Sequence, residues 1–142
     1  CLLNLEQTRI AMEKASINEL RTMSSEVNVQ QKSILDELKE LASIKNVDLP
    51  DSLSPSMRRR LTSLASSKQD LDKKVLRRIF STLRDEVKAF KEMEKTPDGD
   101  IKAFITKKRP VIEANIDSLR VLRMALSPSA DSTRTKKISI RK

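Results

Sequence analysis

Three stretches of the chain repeat apolar residues at steps of three and four, the period that gathers them on one face of an α-helix. The first runs Leu20, Met23, Val27, Gln31, Ile34, Leu38, Leu41 and predicts a helix from Ser16 to about Lys45. The second, Leu71, Val75, Ile79, Leu83, Val87, Phe90, predicts a helix running to about Lys95. The third, Ile101, Ile105, Lys108, Ile112, Asn115, Leu119, Leu122, Leu126, contains Pro110. A proline inside a helix removes one backbone hydrogen bond and crowds the carbonyl one turn back, so a kink near Thr106 is expected rather than a break.

Shorter elements and punctuation fill the gaps. Leu2 to Ala15 carries Leu3, Leu5, Ile10, Ala11 and Met12 without a full stripe, a weak helix signal. Ser54 followed by Pro55 reads as N-cap and first helical residue of a short helix to Ala65 with a thin apolar face of Met57, Leu61 and Leu64. Ser16 with Glu19, and Ser67 with Asp70, have capping-box spacing. Asn46 suits a left-handed helix end, and Thr96 or Asp98 suits the start of the last helix. Beyond Leu126, residues 127–142 lose the helical period, become rich in Ser and Thr, and read as a basic tail. The expected division is a bundle over 1–126 and a tail over 127–142.

Composition narrows the chemistry. One glycine and three phenylalanines leave little turn chemistry for a sheet and a core of Leu, Ile, Val, Met and Ala, which is bundle material. Histidine is absent and Cys1 is the only thiol, so an internal disulfide, a histidine base and a Cys/His zinc cluster have no residues to form them. A single glycine also excludes a Gly-rich phosphate loop. The expectation is a non-enzyme without cofactor or metal. Glu37 and Glu40 have the spacing of one ligand pair but flank the stripe, where carboxylates ordinarily meet solvent. Cys1 is either the cut end of a longer chain or the acylated first residue of a mature bacterial lipoprotein.

A net charge of +9 favours anionic partners or surfaces. The candidate anion-binding residues are Arg58, Arg59, Arg60, Lys73, Lys74, Arg77, Arg78, Lys107, Lys108, Arg109, Lys136 and Lys137. Tyr and Trp are missing and the Phe residues sit on apolar stripes, which argues against nucleic acid as the partner. Gln31 and Asn115 interrupt two apolar faces. They form a candidate inward polar layer, either bonded to each other or each bonded to water or backbone.

The order of segments, with Glu13-Lys14-Ala15-Ser16, Asp36 to Ala42 leading to Leu49-Pro50, Asp70-Leu71-Asp72-Lys73, Ile101-Lys102-Ala103-Phe104 and Pro110-Val111-Ile112, resembles the bacterial family called domain of unknown function 4142. Its members are often labelled predicted outer membrane proteins, and the resemblance implies a ferritin-like up-down four-helix bundle. It also implies inward histidines at the positions held here by Gln31, Leu83 and Asn115, none of which supplies imidazole. The resulting expectation is a non-catalytic bundle of the bacterial cell envelope, in the periplasm or at the outer membrane, acting as a structural or interaction module toward an envelope protein or membrane surface. The alternative is an anion-binding module that uses the basic faces and tail on nucleic acid or acidic lipid.

Overall fold

A computed structural model describes residues 1–126. These form five helices: α1 (Leu2–Lys14), α2 (Asn18–Ile44), α3 (Pro55–Ala65), α4 (Leu71–Met93) and α5 (Gly99–Ala125). No strand occurs among the described residues. The expected tail, with Lys136 and Lys137, lies outside them.

Each helix end has a local cause. Ser54 Oγ accepts from the Met57 N–H, with Pro55 in the first turn of α3. Asp98 accepts from the N–H groups of Asp100 and Ile101 at the head of α5, while Thr96 Oγ1 accepts from Asp98 N–H. Asn46 takes a positive φ of 55° just past α2, and Val47 N–H returns to the Ala42 carbonyl.

Two expected capping boxes do not form. The N-cap of α2 is Ile17, and it makes no side-chain cap bond. Asp72, in the first turn of α4, instead accepts from Ser16 N–H (3.0 Å), Ile17 N–H (2.9 Å) and the Ser16 hydroxyl (3.1 Å). A carboxylate from another helix thus takes the Ser16 N–H that Glu19 was expected to bind, and the Ser16 hydroxyl donates to it instead of capping α2. At the second site Asp70 is left-handed, and Ser67 Oγ donates to the Gln69 carbonyl while accepting from Lys74 Nζ. α5 is unbroken across Pro110, which is exposed, as is Thr106, so the freed carbonyl can turn to water.

The bundle is a ring in which α1 packs on α2, α2 on α5, α5 on α4, and α4 on α1, while α3 lies outside against α1 and α4. Asn4 meets Gln31 and Glu86, whereas Lys14 reaches the Ala65 carbonyl and Ser16 meets Asp72, so α1 runs antiparallel to both α2 and α4. Lys45 with Asp100, and Glu37 with Lys108, set α2 antiparallel to α5. Directions therefore reverse within each hairpin, α1/α2 and α4/α5. α2 and α4 are parallel, joined by one long crossover that contains α3.

The seams close on one another. Leu20, Val75, Ile79, Leu83, Ile105, Ile112 and Leu119 are fully buried, with Val27 and Ile34 nearly so. Each such side chain contributes roughly 1.5–3 kcal/mol by leaving water. Phe90 and Phe104 meet at 6.0 Å in a tilted pair between α4 and α5. The thirteen residues of α1 span only about 20 Å, about half the length of the α2 beside it.

Candidate functional site

Two places concentrate polar chemistry: a layer inside the bundle and a groove on its outside. The inner layer arises because α1 turns a polar face inward. Asn4, Gln7, Thr8 and Ala11, at helical spacing, are its buried residues. Asn4 Nδ2 donates to Glu86 Oε2 (2.7 Å) and to Gln31 Oε1 (3.3 Å), and Gln31 Nε2 donates to Glu86 Oε1 (3.1 Å). The Glu86 side chain is 8% exposed, with the Cys1 backbone nitrogen 3.6 Å from Oε2 and Cys1 Sγ 3.7 Å from Oε1. Thr8 Oγ1 donates to the Asn4 carbonyl and accepts from Asn28 Nδ2, which fixes the same turn of α1.

Gln31 and Asn115 are both buried, but they do not bond to each other among the described residues. Gln31 is taken by Asn4 and Glu86, and Asn115 Nδ2 has no partner. The physical reason is α1: it inserts between α2 and α4 and brings Asn4 to Gln31, while Glu86 arrives from α4. Leu83, in the same stretch of α4, is fully buried. Among the described residues no three of the Cys, Asp and Glu side chains gather closely enough to hold a metal ion.

The basic residues sort by what stands beside them. Lys108, nearly buried, places Nζ 2.9 Å from Glu37 Oε1, with Lys107 at 3.8 Å. The hydrogen bond from Lys108 holds the Glu37 carboxyl below the ordinary value, aided by the charges of Lys108 and Lys107 and opposed by desolvation. Arg109 bridges Glu113 (2.7 Å) and Glu94, and those bonds hold its guanidinium pKa higher still. Arg58 shares a surface cavity with Glu6 and Asp51, and Lys73 shares another with Asp70 and Asp72. Arg84, Arg120 and Arg123 lie over the Phe80 ring at 5.3 to 5.8 Å.

The five remaining described candidates form one cluster. Arg59 and Arg60 from α3, and Lys74, Arg77 and Arg78 from α4, line a surface groove of about 610 Å³ between the two helices. Its other walls are the serines Ser56, Ser63, Ser67 and Ser81, over Leu64. No carboxylate lines it, and none of its five cations forms an ion pair among the described residues. Helical spacing explains the arrangement. Ser56, Arg59, Arg60 and Ser63 share one face of α3, and Lys74, Arg77, Arg78 and Ser81 repeat the pattern on α4. Arg60 and Arg78 also border a small cleft that holds Asp85 and Gln7, whose buried Oε1 has no partner.

The family model for the domain of unknown function DUF4142 matches residues 2–122. The chain belongs to the DUF4142 family. No curated protein and no solved structure matches it. The match extends across all four helices of the ring and the crossover, so both the inner layer and the groove lie within the DUF4142 domain.

Of the sequence candidates, this DUF4142 domain brings together Arg59, Arg60, Lys74, Arg77 and Arg78, pairs Lys107, Lys108 and Arg109 with carboxylates, and leaves Arg58 and Lys73 in cavities that acids also line. Asn4 and Glu86 were missed. For Asn4 the available signal was the spacing of uncharged Asn4, Gln7, Thr8, Ala11 and Ala15 between the charged Glu6, Arg9, Glu13 and Lys14. Glu86 follows Leu83 by three residues, on the flank of an apolar stripe where a solvated carboxylate is the ordinary reading.

Proposed function

We propose that this chain is a non-catalytic, ferritin-like helical bundle of the bacterial cell envelope that works through its surface, as a structural or interaction module. The observation that carries the reading is the filling of the interior. The described core is aliphatic and aromatic, and although Asn4 Oδ1, Gln7 Oε1 and Asn115 Nδ2 have no partner among the described residues, the one carboxylate of its polar layer, Glu86, is held by Asn4 and Gln31. Groups held that way are poorly placed to transfer protons or bind substrate. The single crossover between the parallel α2 and α4 is the connection expected of ferritin-like bundles. The envelope assignment rests on the family resemblance, with the basic surface as a second support, since anionic headgroups attract such a face.

The test is fractionation of cells making the tagged full-length gene product. Recovery with the envelope fraction is expected, and recovery with cytosolic protein would refute the location. Metal analysis of the purified protein checks the non-catalytic part: stoichiometric iron, manganese or zinc would refute it. A second reading, a module that binds anions on acidic lipid or nucleic acid, is favoured by the carboxylate-free groove between α3 and α4.

A further inference from the structure

We infer that the groove between α3 and α4 is a binding site for a ligand carrying two or more closely spaced phosphoryl groups. The inference rests on the reading of the domain as one that acts through its surface. Arg59, Arg60, Lys74, Arg77 and Arg78 converge from two helices on a concavity of about 610 Å³ with no carboxylate in its lining among the described residues. Elsewhere on the same domain some basic side chains are paired with acids, Lys45 with Asp98 and Asp100, Lys108 with Glu37, Arg109 with Glu94 and Glu113, and others, such as Lys32, Lys39 and Lys88, stand singly on exposed helix faces, whereas the groove gathers five together. The contrast is what singles out the groove, because like charges brought together without counter-charges repel, and an anion that enters relieves every pair at once.

The chemistry of the walls selects the class of anion. Four of the five cations are arginines, whose planar forks suit the paired oxygens of a phosphoryl group, and the lysine adds a point charge. Ser56, Ser63 and Ser81 add hydroxyls that donate to the remaining oxygens. The side chains are spread over about two turns of each helix, roughly 10 Å, too long for a single phosphate to span. A diphosphate or longer unit covers that length and matches the charge more nearly. The lining contains no aromatic side chain, so there is no platform on which a base would stack, which sets nucleic acid behind a phosphate-rich headgroup or a soluble polyphosphate.

Both sources present the same chemistry, and one experiment separates them. Calorimetric titration with inorganic phosphate and with tripolyphosphate is run beside flotation with phosphatidylcholine vesicles, with and without cardiolipin, and with a short DNA duplex. Three proteins are compared: the wild type, Arg59→Gln/Arg78→Gln in the groove, and Lys39→Gln/Lys88→Gln, which removes the same charge from exposed positions outside it. Circular dichroism confirms equal helix content. Tripolyphosphate, cardiolipin vesicles or both should bind the wild type, with tripolyphosphate at least about tenfold tighter than phosphate. The groove variant should lose at least about tenfold, equivalent to about 1.4 kcal/mol, while the control stays within about twofold. Binding of tripolyphosphate alone identifies a soluble ligand, and binding of cardiolipin vesicles alone identifies a lipid. Equal losses in the two variants, an unchanged groove variant, no binding in either arm, phosphate as tight as tripolyphosphate, or a preference for DNA would each overturn the inference. None of these results bears on where the protein resides, which fractionation reads separately.

Discussion

Gln31 and Ser24 lie two turns apart on the same buried face of α2, and the structure gives them opposite predicted responses to losing their polar atoms. Gln31 is fully buried; its Nε2 donates to the Glu86 carboxylate at 3.1 Å and its Oε1 accepts from Asn4 at 3.3 Å. Gln31→Leu keeps nearly the same volume but removes both bonds and leaves one oxygen of a nearly buried carboxylate with a weaker shell. A hydrogen bond to a charged group is worth about 1.5–3 kcal/mol and a long neutral one about 0.5. Added apolar burial returns about 1 kcal/mol, so the net loss is about 2 kcal/mol. Ser24 is also fully buried, but its Oγ has no partner among the described residues. Ser24→Ala removes an unsatisfied hydroxyl and improves helix propensity by about 0.5 kcal/mol, so stability should rise by about 0.5–1 kcal/mol. Urea denaturation followed by circular dichroism reads both, and a domain of this size should shift its thermal midpoint by about 3 °C for each kcal/mol. The expected pattern is a drop of about 6 °C for Gln31→Leu and a rise of about 2 °C for Ser24→Ala. Unchanged or increased stability in Gln31→Leu would refute the idea that the inner layer is held by hydrogen bonds to Glu86.

Asp72→Ala should cost about 1–2 kcal/mol, because it strips the acceptor from the Ser16 and Ile17 N–H groups in the turn that leads into α2, whereas Ser16→Ala should cost less than about 0.5. Reversed magnitudes in urea titrations would restore Ser16 as the cap. Ile79→Ala opens the centre of the core, where the side chain is fully buried, and should cost about 3 kcal/mol, lowering the midpoint by about 10 °C. A loss under about 1 kcal/mol would mean that the seams of α4 and its neighbours are loosely closed. The carboxyls of Glu37 and Asp98 sit below their ordinary values, mainly through hydrogen bonds from Lys108 and Lys45. Their contribution is therefore fully present above the unfolded-state values near 4 and is lost as pH falls through the lower folded values. Lys45 is raised by the hydrogen bonds it donates to Asp100 and Asp98, so its share is present below about 10.5 and is lost as pH rises past the folded value. Denaturation midpoints across pH should fall at both ends, and Glu37→Gln should flatten the acid limb; an unaltered limb would remove the Glu37–Lys108 pair from the account.

The long helices were legible because their signal is local. Val75, Ile79, Leu83 and Val87 recur one turn apart and are all buried, and the Ser54-Pro55 pair marked the start of α3 without help from the rest of the chain. The errors fall where a distant residue decides a local matter. Nothing near Ser16 in sequence announces that Asp72 will accept its N–H, and a capping box is the best local guess until α4 is placed beside α1 and the turn that follows it. The same holds for the inner layer. A face of Asn4, Gln7 and Thr8 looks solvated by composition, and it is buried because the ring of α2, α4 and α5 needs a fourth wall. Once α1 supplies that wall, its amides must find partners, and Gln31 and Glu86 are within reach.

The groove follows the same logic with the sign of the evidence changed. A run of basic residues says only that a helix has a solvated side, and the twelve candidate cations looked equivalent in sequence. Packing made the difference. The α2–α5 contact gave Lys108 a carboxylate, and the arrival of α5 beside the end of α4 gave Arg109 Glu94 in addition to Glu113, one turn along its own helix. α3, which lies outside the ring, was laid along α4 so that Arg59 and Arg60 meet Lys74, Arg77 and Arg78 across a groove whose described lining holds no acid. A crossover held against α1 and α4 on the thin apolar face of Leu61 and Leu64 has little burial to offset that repulsion. An occupied groove should therefore tighten α3 more than any other helix. Hydrogen exchange of the α3 amides, measured with and without tripolyphosphate, should slow selectively; slowing spread evenly over all five helices would mean that the anion stabilises the fold as a whole and does not bind between these two.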